Sequence, residues 1–249
     1  MTPSDMVYSP IERPGMIYLL AAVISAMLAF AAALRFALRP CPSRLDAAST
    51  GLPVEGISLA SPSGARLAGW FLPGALGAGG LLLLHGVRSN RACHVARMRF
   101  LREAGYSTLA IDFQAHGESP GARITLGVLE SLDARGALAW LGERLPGEKL
   151  GVIGISLGGA AALLGPEPLG ADALVLESVF PDIASALRNR LRLAFGAVGA
   201  ALTPLVLAAA PFIIVRLHPE RLRPIGAIGR FRGAVLLISG TTERKTTIE

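Results

Sequence analysis

Leu150-Gly151-Val152-Ile153-Gly154-Ile155-Ser156-Leu157-Gly158-Gly159 decides how this chain reads. An apolar run ends in G-x-S-x-G and opens directly into the small-residue stretch Ala160-Ala161-Ala162-Leu163-Leu164. Strand, tight turn and helix in that order raise a serine above a sheet and set it at a helix N-terminus. There the backbone N–H groups and the helix dipole favour developing negative charge. The turn is sharp, so its neighbours must be small, and Gly154 and Gly158 supply that. Ser156 is therefore the candidate nucleophile. The competing reading is a glycine-rich turn with no chemistry.

Two further stretches bear on the choice. Gly80-Leu81-Leu82-Leu83-Leu84 is continuously apolar, as a strand buried on both faces should be. It runs into His85-Gly86-Val87-Arg88-Ser89-Asn90. Thr108-Leu109-Ala110-Ile111-Asp112 reads as another strand and leads into Phe113-Gln114-Ala115-His116-Gly117-Glu118-Ser119. With these three motifs in register, the chain resembles the α/β-hydrolase fold family from about Val54 to Ile248, in its membrane-anchored, serine-aminopeptidase-like and acyl-hydrolase-like branch.

The resemblance implies an α/β fold, mostly parallel, with helices on both faces. It implies that His85 and Gly86 open the oxyanion loop. The N–H groups of Val87 and Leu157 then hold the oxyanion, since two fixed donors stabilise a tetrahedral intermediate without reorganising. The loop after Asp112 is similar to the family's D-x-R-G-x-G-x-S, with Gln114 and Ala115 in place of the common Arg-Gly. That loop is structural in the family.

The remaining elements follow from pattern. Val54–Ala60 and Ala65–Leu72 flank the turn Ser61-Pro62-Ser63-Gly64 and form a hairpin. Arg91–Ala104 and Leu129–Leu145 are helices, the second stopped by Pro146-Gly147. Ala173–Leu176 and Gly233–Ser239 are strands. Between them lies Ile183–Leu217, read as an apolar cap that follows the family's sixth strand, with Arg188, Arg190 and Arg192 on its rim. Leu193–Val215 is long enough to span a bilayer, but spanning would separate Ser156 from Gly233–Ser239. It is therefore assigned to the cap, either facing lipid or buried on the sheet.

The triad is incomplete. A serine needs an imidazole to take its proton and a carboxylate to orient that imidazole. The family order is Ser, acid, His. Glu243, after Gly233–Ser239, stands at the acid position. Glu177 and Asp182 are weaker alternatives. His85, His94, His116 and His218 all precede that position. His94, on a helix, is expected at the surface. The expectation is a hydrolase fold without its last strand, last helix and catalytic His, whether truncated, frameshifted or inactive by descent. Turnover would then be weak or absent.

The hydrophobic share of 52% is ample for a core. Cys41 and Cys93 are too few for a disulfide framework and give no metal spacing, though one bridge between them stays open. No metal or cofactor is expected. No G-x-G-x-x-G follows a strand, which argues against a dinucleotide fold. The net charge is +6, carried almost entirely by Arg. Without a basic and aromatic stacking platform, that charge favours anionic lipid over nucleic acid.

Gly15–Leu34 carries no Asp, Glu, Lys or Arg. As a helix it covers about 30 Å, the thickness of a bilayer core. The organisation expected is a tail over 1–14, a transmembrane anchor over 15–39, a linker over 40–53 and the hydrolase domain over 54–249. A cleaved signal or a buried helix are the other readings of the apolar run. Arg35, Arg39 and Arg44 after it, against Arg13 before it, place the domain on the cytoplasmic side. The expected partners are the membrane and a small-molecule or lipid-like acyl substrate.

Overall fold

The computed structural model describes residues 35–213 and 218–240, with isolated positions between 18 and 33. The strands are β1 (Cys41–Pro42), β2 (Glu55–Ala60), β3 (Arg66–Leu72), β4 (Gly80–Leu84), β5 (Ser107–Ile111), β6 (His116–Gly117), β7 (Leu150–Ile155), β8 (Ala173–Glu177) and β9 (Ala234–Ile238). The helices are α1 (Val95–Glu103), α2 (Glu130–Arg144), α3 (Leu157–Leu163), α4 (Ile183–Ala201), α5 (Thr203–Ile213) and α6 (Pro224–Ile228).

Seven strands form one sheet in the order β2-β3-β5-β4-β7-β8-β9. The β2–β3 hairpin is antiparallel and joins β5 antiparallel, and every later pairing is parallel. Parallel strands need crossover helices, and helices cover sheet faces. That is why β4 and β7 read as unbroken apolar runs and β5 ends in the apolar Leu109-Ala110-Ile111. Leu82, Leu83 and Leu84 are wholly buried, as are Leu109, Ala110 and Ile111.

One core cluster joins Trp70, Leu72, Leu83, Ala110 and Ile153 to Met98 and Leu101 of α1. Met98 and Leu101 are three residues apart and share the helix face turned to the sheet. Burying each such large side chain contributes about 1.5–3 kcal/mol. Leu83→Ala would cost about 2–5 kcal/mol. All seven residues of α3 are buried. A helix packed this closely on β4, β7 and β8 has room for Gly and Ala and little else.

Residues 40–53, read from sequence as a linker, pack onto the domain instead. Cys41 and Pro42 bridge His116 and Gly117 in parallel. Leu45, Ala47, Leu52 and Val54 lie against the core cluster. Compactness divides the chain at Ala37 and Leu38, well before residue 54. The apolar content of this stretch, modest in sequence, is enough to seat it. The expected helix from Arg91 begins as a 3₁₀ turn over Arg91–His94 before α1. Cys41 and Cys93 are both free thiols, so no bridge joins them.

About half of the residues of the anchor expected over 15–39 lie outside the described residues. Among those described, no single helix is long and apolar enough to cross a membrane. The apolar run from Leu193 does not continue as one rod: α4 and Thr203–Ala209 of α5 meet at 93°. Glu243 and the rest of 241–249 also lie outside the described residues. Among the described strands β9 is outermost on its side, and Val235, Leu236, Leu237 and Ile238 are all exposed.

Candidate active site

Ser156 sits between the last residue of β7 and the first of α3, with φ 50° and ψ −107°. A positive φ on a residue with a Cβ is strained. The surroundings impose it. A Cβ on Gly154 would stand 2.5 Å from the Gly159 nitrogen, and one on Gly158 would overlap the Leu84 carbonyl. One on Gly159 would overlap Val179. These glycines let the turn close against β4, and the closed turn holds Ser156 in its left-handed conformation. The Ser156 N–H donates to the Glu177 carbonyl at 2.8 Å, which fixes the turn to the end of β8.

The loop after β4 arrives beside the serine. A Cβ on Gly86 would be 3.7 Å from Ser156 Cβ and 3.6 Å from the Ile155 carbonyl oxygen. The structure thus brings together Ser156, Leu157, Gly86 and the adjoining Val87. Leu157 is the first residue of α3, and the first N–H groups of a helix have no intrahelical acceptor.

His85 is wholly buried and does not act from this loop as a free imidazole. The Phe113 N–H donates to its Nε2 at 3.1 Å, which leaves Nδ1–H to donate to the Gly86 carbonyl at 2.8 Å. Burial holds its pKa down at about 3. His116 is used the same way. It takes the Arg88 N–H on Nε2 at 3.1 Å and faces the Gln114 carbonyl through Nδ1 at 3.0 Å. Burial lowers its pKa too. The two rings lie 5.0 Å apart, edge to face, and lock the loop after β4 to the loop after β5.

His94 departs from expectation. It is wholly buried rather than at the surface, because the 3₁₀ turn before α1 rotates it inward. Neither ring nitrogen makes a well-formed hydrogen bond among the described residues, and burial lowers its pKa to about 4. His218 is half exposed, with Nδ1 3.1 Å from the Glu220 carboxylate.

Two features of the site were not legible as functional in the sequence. Arg91 is buried and ion-paired with both Asp112 and Glu118, its guanidinium 4.5 Å over the Trp70 ring. Arg97 of α1 holds both oxygens of Glu177, at 2.8 and 2.9 Å. Glu177, weighed in sequence as a second choice of acid, is thus held by a guanidinium. Asp182 caps α4 through the Ser185 N–H at 2.8 Å. Ala115 has φ 61°, a signal latent in its replacing a glycine of the family loop. Among the described residues no group of His, Cys, Asp and Glu could hold a metal ion.

Residues 81–241 match the alpha/beta hydrolase family. The uncharacterised protein YfhR of Salmonella typhi is 27% identical over 150 residues, 53% of this chain and 51% of that protein. The chain therefore spans about half the length of the curated relatives it matches. The Pyrococcus furiosus esterase Pf2001 superposes with a TM-score of 0.63 at 24% identity, over 83% of this chain and 79% of that one. The Pyrococcus horikoshii acylaminoacyl peptidase superposes with a TM-score of 0.57 at 16% identity, over 78% of this chain and 32% of that one. At such identities the likeness shows the fold. With most of its length matched, and with the nucleophile turn, the loop after β4 and the parallel sheet in place, this chain belongs to the alpha/beta hydrolase family.

Proposed function

We propose that the chain is a serine hydrolase acting on an ester, thioester or amide bond through a Ser156 acyl-enzyme. The Ser156 Oγ attacks the carbonyl carbon, the bond from that carbon to the leaving group breaks and the leaving group carries off the Oγ proton; water then cleaves the Ser156 ester, its hydroxyl joining the acyl carbon to give the acid and its proton returning to Oγ. Val87 and Leu157 donate their N–H groups to the oxyanion. Glu243, outside the described residues, takes the acid position. The observation that supports the reading best is the strained Ser156 backbone at the head of α3 with Gly86 alongside. Backbone strain of this kind gathers at functional sites. The two structural neighbours are named as an esterase and a peptidase, and both names denote acyl transfer to water.

A second reading is a hydrolase-like membrane protein without turnover. It rests on the histidines. His85 and His116 have both ring nitrogens engaged, His94 is buried, and His218 is paired with Glu220. Removing the base from such a triad costs about 10⁴-fold in turnover.

A fluorophosphonate probe separates the readings. Wild type takes the label and Ser156→Ala does not. Equal labelling of both removes Ser156 as nucleophile. Labelling that depends on Ser156, with short-chain aryl ester turnover at background, selects the second reading. The membrane placement belongs to the same proposal: residues 15–39 anchor the chain, with the domain on the cytoplasmic side, and the substrate is a small-molecule or lipid-like acyl compound.

A further inference from the structure

The segment between β8 and β9 has an unusual surface. From Ile183 to Ala209 it contains no Asp or Glu, and its charges are Arg188, Arg190 and Arg192. The apolar side chains that follow those arginines do not turn inward. Leu193, Phe195, Val198, Leu202 and Leu205 are all about half exposed or more, Phe195 and Val198 at 67% and 70%. Five large apolar groups in one short stretch exceed the scattered exposure normal for a monomer.

The backbone shows that this exposure is built. Within α4, Gly196 has φ 63° and ψ −149°, a conformation essentially reserved for glycine. The break folds the second half of α4 back on the first. Gly199 is buried so closely against Leu191 that a Cβ there would overlap the Leu191 carbonyl. Gly199 and Leu191, both buried, thus hold the bend together, while Leu193, Phe195 and Val198 on either side of it are exposed. Arg188 and Arg192 are four residues apart and share a helix face with Phe195, three further on. An arginine stem lying beside an aromatic anchor reaches from an apolar layer to the phosphates above it.

The base of α4 lies close in sequence to the site. α4 starts at Ile183, shortly after Glu177, whose carbonyl accepts the Ser156 N–H. The Ile183 N–H bonds the Leu222 carbonyl and the Ile225 N–H bonds the Pro181 carbonyl, which ties the base of α4 to α6.

From this geometry we propose that the bent α4–α5 pair docks on the surface of an anionic lipid bilayer, with Leu193, Phe195, Val198, Leu202 and Leu205 in the acyl boundary and Arg188, Arg190 and Arg192 among the phosphates. The bilayer is the occupant that meets both halves of the patch. An apolar protein partner would leave three arginines without counter-charge, and a nucleic acid would leave the apolar groups in water. The docked cap holds the Ser156 edge of the sheet at the membrane face, so an acyl chain leaving the bilayer enters beside the nucleophile. This last step rests on the serine hydrolase reading; the docking does not.

The test uses the full chain with Phe195→Trp, bound to vesicles of phosphatidylcholine with or without phosphatidylglycerol, some carrying lipids with a quenching nitroxide near the headgroup. Trp140 and Trp70 are corrected for with the parent protein. The expected result is a blue-shifted emission from the introduced indole, quenched by the shallow nitroxide, and more strongly with phosphatidylglycerol. Arg188→Gln, Arg190→Gln and Arg192→Gln together shift the balance away from the docked cap by roughly a hundredfold, and high salt acts in the same direction. Two results overturn the proposal. One is a water-like emission untouched by the nitroxide in vesicle-bound protein. The other is an emission already blue-shifted without lipid and unquenched with it, which means that protein covers the patch. Ser156→Ala leaves the quenching unchanged, and the fluorophosphonate label is read on the same samples. Docking without labelling removes the hydrolase reading alone, and labelling without docking removes this one alone.

Discussion

The Ser156 N–H donates to the carbonyl of Glu177, and the carboxylate of that same Glu177 is held by Arg97. Arg97 belongs to α1, whose preceding loop carries Gly86 to within van der Waals reach of Ser156. The ion pair therefore joins the two walls of the site through one residue. Both side chains are partly exposed, so the pair contributes at most about 1 kcal/mol to stability. Its effect on position is expected to be larger. Arg97→Ala should slow fluorophosphonate labelling of Ser156 several-fold while the denaturation midpoint hardly moves, and Arg97→Lys should recover part of the rate. Unchanged labelling in Arg97→Ala would reduce the pair to a surface contact.

Arg91 presents the opposite balance. It is 3% exposed and its partner Asp112 wholly buried. Asp112 also takes the main-chain N–H groups of Arg91 and Glu118, at 2.7 and 2.9 Å. Removing the guanidinium leaves a buried carboxylate without its counter-charge, which typically costs about 3–5 kcal/mol. Arg91→Ala should lower stability by that amount in urea unfolding at neutral pH. Pairing it with Asp112→Asn should recover part of the loss, because the stranded charge is then gone. If the double variant is no better than the single, packing against Trp70 carries the effect instead.

How far these features could be read in advance depends on their range. The strands β4, β5 and β7 and the turn at Ser156 are local, fixed by apolar runs and by the spacing of glycines, and they stood in the sequence as they stand in the fold. The fate of His94 is not local. His94 lies in the 3₁₀ turn that precedes α1, and that turn places it on the inner face. The seating of residues 40–53 depends on a groove built by distant strands. Arg91, with charged partners 21 and 27 positions away, carried no signal that set it apart from Arg88 or Arg97. Ala115 did carry one. It stands where the family loop has glycine, and the structure gives it a left-handed φ of 61°.

The buried histidines make stability pH-dependent in a definite direction. His94 and His85 have folded pKa values of about 4 and about 3, below the ordinary imidazole value of 6.5. Between those values the unfolded chain binds protons that the native state does not. Their contribution is complete above about pH 6.5 and is lost as pH falls toward the folded values. Each histidine adds up to about 1.4 kcal/mol per pH unit to the slope. His94→Leu removes a buried ring whose nitrogens lack well-formed partners, so it should flatten the slope between pH 6.5 and 4 by up to that amount and raise stability at the acid end. Denaturant unfolding at several pH values gives the slopes directly. Parallel curves for wild type and His94→Leu would show that His94 is protonated alike in both states.

The strain at Ser156 can be tested through the glycine that creates it. A methyl group on Gly158 overlaps the Leu84 carbonyl, which belongs to a central strand and cannot yield. Something else must shift, and the free end is the turn carrying Ser156. Overpacking of this kind costs about 1–3 kcal/mol. Gly158→Ala should therefore lose stability in that range, and its Ser156 should lose nearly all fluorophosphonate reactivity, because the head of α3 is pushed away from β4 and from Gly86. Gly142→Ala is the control. Its Cβ would meet only the Leu150 side chain at 3.4 Å, an ordinary contact, within a helix where alanine is favoured. That variant should be stable and fully labelled. A Gly158→Ala protein that is destabilised yet labels as fast as wild type would mean that reactivity at Ser156 does not depend on the closeness of this turn.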